Sequence, residues 1–340
     1  MRAVPFTGTD AEWDALVGGF GSGTFCHLAG WSHVLEGALG HEALRLAAVD
    51  DGGEVRGLLP LARVRSRLFG DYLLSMPFLT YGGPLGTPEA QQSLVEAAIE
   101  EAKRRGVDLL ELRSREPIAG GLPVSDRKLT VLKALPGTSE ELWEKGIKAK
   151  LRSQVRRPMK EGMTTRFGLE HLDAFYRIFA TTMRDLGTPV LPKRFFDAVV
   201  ERFPQQAIVG LVEYQGRPVA AGVGFLWNGE VEITWAGALR EHAAMAPNML
   251  LYWGFMEESV RRKAAMFNFG RCSPGSGTHR FKMQWGAEEL PLPWAQWSPS
   301  GVATTPSPDS AKFRLATAVW SRLPVGVANT LGPPLSRLLP

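Results

Sequence analysis

The sequence predicts a mixed α/β protein made of two copies of one folding unit. In each half, two apolar runs joined by a glycine turn precede a third apolar run, an amphipathic helix and a closing buried strand. An ungapped alignment supports this duplication, because the pattern EExxRR at 100–105 falls against the same pattern at 257–262. A length of 340 residues is also more than one hydrophobic core usually organises, so two domains are expected.

Turn and cap residues delimit the elements of the first half. Thr9 and Glu12 have the spacing of a capping box at the start of a short helix. The third strand is expected to run through "YLLSMPFLTYGGPLG", which places Tyr81 near the strand end. Thr87 is then expected to cap a helix that Gly106 ends, and "VDLLELR" reads as the closing strand.

The second half repeats this order with different residues. "AIVGLVEYQGRPVAAGVGFLW" is a hairpin, "VEITWAGA" a third strand, "APNMLLYWGFMEESVRR" a helix with Pro247 near its start, and "MFNFG" a closing strand. These patterns predict one domain at 1–137, a basic linker helix at 138–163, a second domain at 164–297, and a linker with a C-terminal tail at 298–340.

Charge and cysteine content argue against several classes of protein. The 39 Lys and Arg against 35 Asp and Glu leave a formal net charge of +4, which favours a polyanionic partner only weakly. Cys26 and Cys272 lie far apart and the histidines show no metal-ligand spacing, so neither a disulfide framework nor a metal site is expected. The N-terminus lacks the apolar core of a signal peptide, and no apolar run approaches the ~20 residues of a membrane span. A cytoplasmic protein is therefore expected, with the inner face of the membrane as an alternative location.

The strongest local imbalance of charge lies between residues 145 and 160. This stretch holds seven lysines and arginines, and Pro158 alone interrupts its helical pattern. It is either a solvated linker helix or a surface for the phosphates of RNA, a nucleotide sugar or lipid head groups. The residues expected to contact phosphate are Lys148, Lys150, Arg152, Arg156 and Arg157. The tail from Lys312 mixes apolar residues with spaced arginines, so it is expected to dock on the protein or to rest on a membrane surface.

The stretch "GSGTHRFKMQWGAEE" at 275–289 is the main candidate for a functional loop. Two glycines, one residue apart, lead into two cations that flank an aromatic residue. A cation such as Lys282 can stabilise a developing oxyanion, and the guanidinium groups of Arg271 and Arg280 match phosphates and carboxylates. The alternatives are a surface lysine that follows a strand, ion pairs for the arginines, and core positions for Phe281 and Trp285.

The order of these motifs resembles that of the FemAB-like proteins, which carry two GNAT-type acyltransferase folds in tandem. "FCHLAGWSHVLEGALGHE" around Trp31 is similar to their N-terminal helix motif, and "SMPFLTYGGPLG" to their Tyr-x-x-Gly-Pro strand end. "FNFGRCSPGSGTHRFKMQWG" is similar to their closing strand and Phe-Lys loop, and the resemblance extends over residues 25–297. Within the family, "DLGTPVLPKRFF" and "KFRLATAVWSRLP" are similar to the subgroup associated with PEP-CTERM/exosortase and exopolysaccharide loci.

The resemblance implies a transferase that moves an activated acyl group to an amine of a cell-envelope or exopolysaccharide precursor. The best-understood family members take the acyl group from aminoacyl-tRNA and build on a peptidoglycan precursor, and this chemistry requires no cofactor. The Phe-Lys motif implies that Lys282 is catalytic. The resemblance also implies substrate contacts, for which the candidates are Trp31, Tyr81, Arg113, Asn248, Tyr252, Arg271, Arg280, Phe281 and Trp285.

Two departures from the family pattern weaken the case for a UDP-linked muropeptide acceptor. No lysine follows Trp31 within a few residues, and Gly82-Gly83 stands where the family often has a basic residue. Two other functions therefore stay open. One is an acyl-CoA-dependent N-acyltransferase, although the Gln/Arg-x-x-Gly-x-Gly/Ala pattern of CoA binders is missing from 81–90 and 238–248. The other is a non-catalytic protein that binds RNA or a membrane surface through residues 145–160.

Overall fold

The computed structural model describes residues 1–301 and 311–339, which form two compact units. The first unit contains Met1–Leu129, the strand residues from Pro291 onward and the chain end from Arg337. The second contains Thr130–Leu290 and the C-terminal helices as far as Ser336. Most of the linker expected at the start of the tail lies outside the described residues. The domain bounds expected from the sequence stay predictions.

The described residues form thirteen strands and eleven α-helices. The strands are β1 (Arg2–Pro5), β2 (Glu42–Val49), β3 (Val55–Ser66), β4 (Gly70–Leu74), β5 (Leu85–Gly86), β6 (Leu109–Arg113), β7 (Val124–Ala134), β8 (Thr164–Phe167), β9 (Ala207–Tyr214), β10 (Arg217–Trp227), β11 (Glu230–Ala238), β12 (Met266–Cys272) and β13 (Glu288–Trp297). The α-helices are α1 (Asp10–Gly19), α2 (Gly30–Val34), α3 (Pro88–Arg105), α4 (Ser139–Glu141), α5 (Ala149–Lys160), α6 (Leu172–Asp185), α7 (Lys193–Arg202), α8 (Pro247–Arg261), α9 (Gly277–Met283), α10 (Ala311–Trp320) and α11 (Val325–Ser336). A π-helical turn, Leu35–Leu39, continues α2, and another, Leu142–Gly146, continues α4.

Each unit contains three antiparallel strands followed by a parallel partner. In the first unit, β2, β3 and β4 run antiparallel, and β6 joins β4 in parallel after helix α3. In the second unit, β9, β10 and β11 run antiparallel, and β12 joins β11 in parallel after helix α8. The duplicated mixed α/β architecture predicted from the sequence is therefore confirmed.

The helix caps expected from the sequence are in place. Glu12 donates its N–H to the Thr9 hydroxyl at 3.2 Å, and its carboxylate accepts the N–H of Thr9 at 2.6 Å. Thr87 caps α3, which ends at Gly106 in a left-handed conformation with a φ of 63°. The cap and the terminating glycine hold α3 in register, so that its apolar side, with Leu94 at its centre, packs on the sheet of the first unit.

The third strand of the first unit is shorter than the sequence predicts. It ends at Leu74, and Tyr81 lies in an irregular segment between β4 and β5 instead of at a strand end. The apolar pattern continues past Leu74, but Met76 and Phe78 have left-handed backbone angles, with φ of 55° and 69°. Ser75 also turns its hydroxyl toward β6, where it accepts the N–H of Arg113 at 2.7 Å. These features end the strand although hydrophobic side chains continue.

The C-terminal helices dock on the second unit. Ser336 of α11 donates its hydroxyl to the carbonyl oxygen of Val190 at 2.9 Å, and Arg184 of α6 donates to the carbonyl oxygen of Leu323 at 3.0 Å. A Cβ on Gly332 would lie 3.1 Å from the backbone nitrogen of Val190, so a larger residue there would push α11 away. Among residues 1–301 and 311–339, no helix is both long enough and apolar enough to cross a membrane.

Candidate active site

A cavity of about 470 Å³ opens in the second unit beside the end of β11, beyond the residues over which β11 pairs with β12. These parallel strands pair only over Glu230–Glu232 and Met266–Asn268, although both continue beyond that register. The cavity is lined by the end of β11, the first turns of α8 and one side of α9. Three residues expected to contact substrate, Asn248, Tyr252 and Phe281, lie together in this lining.

The cavity wall formed by α8 and α9 is aromatic. The ring of Tyr252 stacks on Phe269 with centroids 5.7 Å apart, and Phe281 meets Tyr252 edge-on at 4.9 Å. Trp285 is fully buried, and its ring centroid lies 6.3 Å from that of Phe281, so it supports the wall from the core. Burial raises the pKa of the Tyr252 phenol, and its hydroxyl therefore stays protonated at neutral pH.

Lys282 is buried and is not among the residues that line the cavity. Only 3% of it is exposed, and Nζ donates to the carbonyl oxygens of Gly270 at 2.6 Å and Arg271 at 3.0 Å. These bonds tie α9 to the end of β12. The stretch expected to be a functional loop thus contains a short helix, which Ser276 caps. Burial lowers the pKa of the Lys282 ammonium to about 8, an effect that Cys272 and Glu232 oppose.

The point where β11 and β12 separate is held by hydrogen bonds around Asn268, which is fully buried. Its Oδ1 accepts from the Thr130 hydroxyl at 2.7 Å and from the Gly270 N–H at 2.8 Å. Its Nδ2 donates to Glu230 at 2.9 Å and to Glu232 at 3.1 Å. Gly270 has a φ of 70°, and a Cβ there would lie 2.9 Å from a carbonyl oxygen of β11, so the backbone requires glycine. A carboxylate inside an apolar strand was the available sequence signal for Glu232.

The two arginines expected to bind an anion are placed differently. Arg280 is exposed, and Nη1 donates to the carbonyl oxygen of Gly275 at 2.6 Å, which braces the glycine turn before α9. Arg271 is half-buried at the end of β12, and its carbonyl oxygen accepts from Lys282. Anion binding by either guanidinium group stays a prediction.

Two further residues expected to contact substrate are buried in the first unit. Trp31 is fully buried, and its Nε1 donates to the carbonyl oxygen of Phe25 at 2.8 Å. Arg113 is 3% exposed and pairs with Glu111 at 2.8 Å, while its guanidinium lies 4.5 Å from the ring centroid of Trp294. The structure thus gives Arg113 a buried carboxylate partner, and substrate contact by Trp31 or Arg113 gains no support from this geometry.

Tyr81 and Arg113 meet at a small cavity of the first unit, about 20 Å³ in volume. That volume suits roughly one water molecule. The guanidinium of Arg115 lies 4.2 Å from the centroid of the Tyr81 ring. His27 also lines the cavity, and its Nε2 donates to the carbonyl oxygen of Gly83 at 3.0 Å. Burial lowers the pKa of His27 to about 4, so its imidazole is neutral at pH 7.

Helix α5 presents most of the predicted phosphate-binding cations to solvent. We define the basic surface as the exposed side chains of Lys145, Lys148, Lys150, Arg156, Arg157 and Lys160. The buried residues Leu151, Val155 and Pro158 form the opposite side of the helix, which packs near α8. Arg152 differs from the other predicted cations, because its Nη1 donates to three backbone carbonyl oxygens between Trp143 and Ile147. Its role in the fold is therefore to close the preceding helical turn.

The sequence of the second unit matches a known domain family. Residues 145–283 match the family model of an acetyltransferase (GNAT) domain. The matched range includes the residues that line the cavity, Asn268 with Glu230 and Glu232, the basic surface and Lys282. No curated protein gives a significant match to the sequence. The domain match supports an acyltransferase.

Solved structures share the fold over most of the chain. The crystal structure of FemX superposes with a TM-score of 0.68 at 15% identity and covers 86% of this chain and 97% of that one. A tandem GNAT protein from the clavulanic acid biosynthesis pathway superposes at 0.55 with 14% identity, covering 89% and 99%. L-PGS from Bacillus licheniformis superposes at 0.53 with 13% identity, covering 86% and 96%. These matches and the duplicated topology show that the chain has the tandem GNAT fold that the sequence predicted.

Proposed function

We propose that this protein is a FemAB-like acyl- or aminoacyltransferase that acts on an amine of a cell-envelope or exopolysaccharide precursor. The observation that carries this proposal is the cavity between β11, α8 and α9, which lies inside the GNAT-matched range. The order of sequence motifs and the fold shared with FemX support the FemAB-like assignment. The PEP-CTERM-associated subgroup is part of this proposal and rests on sequence likeness alone.

The lining of the cavity suits an uncharged acyl group. Its volume of about 470 Å³ is within the range of small-molecule sites. Tyr252, Phe281 and Leu251 contribute apolar surface, and Asn248 contributes one polar group. Arg240 is the charged residue of the lining, and its guanidinium donates to the carbonyl oxygen of Asp185 at 2.7 Å. We therefore assign this cavity to the acyl part of the donor.

The separated strands also provide a means to stabilise the transition state. Beyond Glu232, β11 remains paired with β10 as far as Ala238, while its register with β12 has ended. That strand edge therefore presents backbone groups toward the cavity, and we assign to its N–H groups the stabilisation of the oxyanion. A neutral amine of the acceptor attacks the acyl carbon to form a tetrahedral intermediate. As this intermediate collapses, the bond to the leaving sulfur or oxygen breaks and the proton lost by the nitrogen passes to that atom, so the donor leaves as a thiol or an alcohol. Losing one such donor costs other enzymes about 3 kcal/mol of transition-state stabilisation.

Lys282 is assigned a role in its protonated form. Its ammonium fixes the carbonyl groups of Gly270 and Arg271, and so orients the end of β12 and the neighbouring Phe281. Because the ammonium is buried in the same unit, its charge is weakly screened and favours a negative oxygen in the cavity. In this assignment the lysine positions the site and contributes electrostatically.

Aminoacyl-tRNA and acyl-CoA are the two candidate donors. The basic surface on α5 favours a polyanionic donor such as tRNA. One observation favours acyl-CoA instead, because the cavity lining contains no carboxylate to pair with the α-ammonium of an aminoacyl group. Mass spectrometry of envelope precursors incubated with charged tRNA or with acyl-CoA, supplied separately, distinguishes the two. If neither donor gave a product, the proposed function would be contradicted.

The basic surface predicts that binding of a tRNA donor weakens as the salt concentration rises. The double variant Lys150→Glu and Arg157→Glu is expected to weaken tRNA binding by roughly tenfold or more at low salt, and to flatten the dependence of binding on salt. Both side chains are exposed, so the fold should not change. Binding is measured by fluorescence anisotropy between about 50 and 200 mM salt, the range over which phosphate contacts weaken strongly. The matched control is Arg2→Glu with Arg67→Glu, which reverses two exposed arginines of the first unit, and equal losses in both proteins would contradict a localised basic surface.

A further inference from the structure

Exposed apolar side chains are concentrated on the C-terminal helices. Nine large apolar side chains are exposed in the described residues, and four of them lie on α10 and α11. We define the apolar face as these four residues: Leu315, Val319, Val327 and Leu331. Each helix contributes two of them, four positions apart, and this spacing places both on one side of the helix. Leu315 is 67% exposed, which is far from the burial expected for a residue of a packed core.

The α11 part of the apolar face lies outside the contacts that dock this helix on the second unit. Ala328, Gly332 and Ser336 are buried, follow one another at intervals of four residues, and form the docked side of α11. Val327 and Leu331 each precede a buried residue and remain 42% and 47% exposed. Helix α11 is therefore anchored through small residues while Val327 and Leu331 stay outside.

The charge of this segment narrows the choice of partner. From Lys312 to the end of the chain there are four lysines and arginines and no aspartate or glutamate. Arg314 and Arg322 are exposed, and along the chain they directly flank the part of α10 that carries Leu315 and Val319. In a two-fold dimer through this face, each copy would present its cations to a surface that has no acid on this segment. An anionic lipid surface instead offers apolar chains to the aliphatic residues and negative head groups to the arginines.

We propose that α10 and α11 bind the protein peripherally to an anionic membrane, with the apolar face inserted at the level of the head groups. The proposal extends beyond acyl transfer and does not require that activity, since it rests on a surface remote in sequence from the cavity residues. Four aliphatic residues and a few cations give weak, reversible binding of the kind seen for interfacial helices.

Sedimentation with vesicles tests the proposal in the full-length protein. The vesicles are pure phosphatidylcholine or phosphatidylcholine with phosphatidylglycerol. The wild type should bind the anionic vesicles only, and less tightly as salt is raised. Val319→Glu with Leu331→Glu should reduce the fraction bound by roughly tenfold or more, because two inserted aliphatic groups are lost. Arg314→Gln and Arg322→Gln should each weaken binding by about fivefold, which corresponds to one cation near an anionic surface.

Controls separate the lipid surface from other partners. Leu68→Glu changes a side chain that is 75% exposed in the first unit, and it should bind vesicles as the wild type does. Circular dichroism of each variant should match that of the wild type, because every replaced side chain is exposed. The proposal would be overturned if the wild type did not bind anionic vesicles, or if the double variant bound them as well as the wild type does. It would also be overturned if light scattering showed that the wild type is a dimer and that the double variant is a monomer.

Discussion

Replacing Lys282 with methionine is expected to lower kcat by roughly tenfold or more while the protein remains folded. Methionine fills a similar volume but cannot donate to the carbonyl oxygens of Gly270 and Arg271, which Nζ contacts at 2.6 and 3.0 Å. Losing two hydrogen bonds costs stability on the order of 1 kcal/mol each. Removing a buried charge offsets part of that loss, so unfolding in urea should shift only modestly. Turnover and the free energy of unfolding are measured on the same preparation.

A second buried lysine supplies the matched control. Lys133 is 7% exposed, donates to the carbonyl oxygen of Gly146 at 2.8 Å, and has a pKa lowered by burial. Lys133→Met should therefore change stability by a similar amount. It should leave kcat within about threefold of wild type, because Lys133 donates to Gly146 and, at 3.4 Å, to Gly286 after α9, and not to the carbonyl groups of Gly270 and Arg271. Equal turnover losses in the two variants would assign the effect of Lys282 to general destabilisation. Unchanged turnover in Lys282→Met would remove its role altogether.

The lowered pKa of Lys282 should make both stability and turnover of the wild type depend on pH, and Lys282→Met tests this. Its pKa is about 8 in the folded protein, against 10.5 when the side chain is solvated. The unfolded chain therefore binds more protons between these values, and this group makes the folded state more stable as pH rises from 8 to 10.5. Turnover should move the opposite way and fall above pH 8, because the protonated form is the active one. Lys282→Met should lose both dependences.

Filling the cavity of the second unit is expected to reduce kcat/KM for the donor by about a hundredfold, because an acyl group displaced from its site is no longer aligned for attack. Gly277 lines the cavity, and a Cβ added there would meet no atom within 4 Å. Gly277→Phe can therefore be accommodated in α9, and the new ring would take space that the acyl group needs. Steady-state kinetics with varied donor measure the loss.

The control for this variant is a glycine with equally open surroundings elsewhere. Gly18 is exposed in α1 of the first unit, and a Cβ there also meets nothing within 4 Å. Gly18→Phe should leave kcat/KM unchanged. If Gly277→Phe kept full activity while remaining folded, the acyl group would have to bind elsewhere.

Local patterns in the sequence predicted the repeated fold well where caps and apolar periodicity agreed. Thr87 and Gly106 delimit α3 as expected, and Pro247 begins α8. Strand β13 was not predicted, because Pro291 and Pro293 interrupt its pattern. Helices α6 and α7, although amphipathic, were not identified between the basic stretch and the second hairpin. The predicted third strand of the first unit extended past Leu74, where β4 ends, because that end depends on contacts with β6 that are distant in sequence.

The candidate site was predicted in part for the same reason. The order of motifs selected Asn248, Tyr252 and Phe281, and the structure brings these three to one cavity. The buried position of Lys282 could not be read from the sequence, because it depends on carbonyl groups at the end of β12. Asn268 and Glu232 were missed as functional residues, since their importance comes from the separation of two strands.

The central claim is that the cavity of the second unit holds the activated acyl group, and protection of an introduced cysteine tests it most directly. Thr278 is exposed and lines the cavity, whereas both native cysteines are buried, so Thr278→Cys should give one fast-reacting thiol. A donor that supports transfer is predicted to slow maleimide labelling of this thiol by roughly fivefold or more at saturation. It should not slow labelling of Ala15→Cys, a control position exposed on α1. Unchanged labelling of Thr278→Cys, at donor concentrations that saturate transfer, would contradict the account.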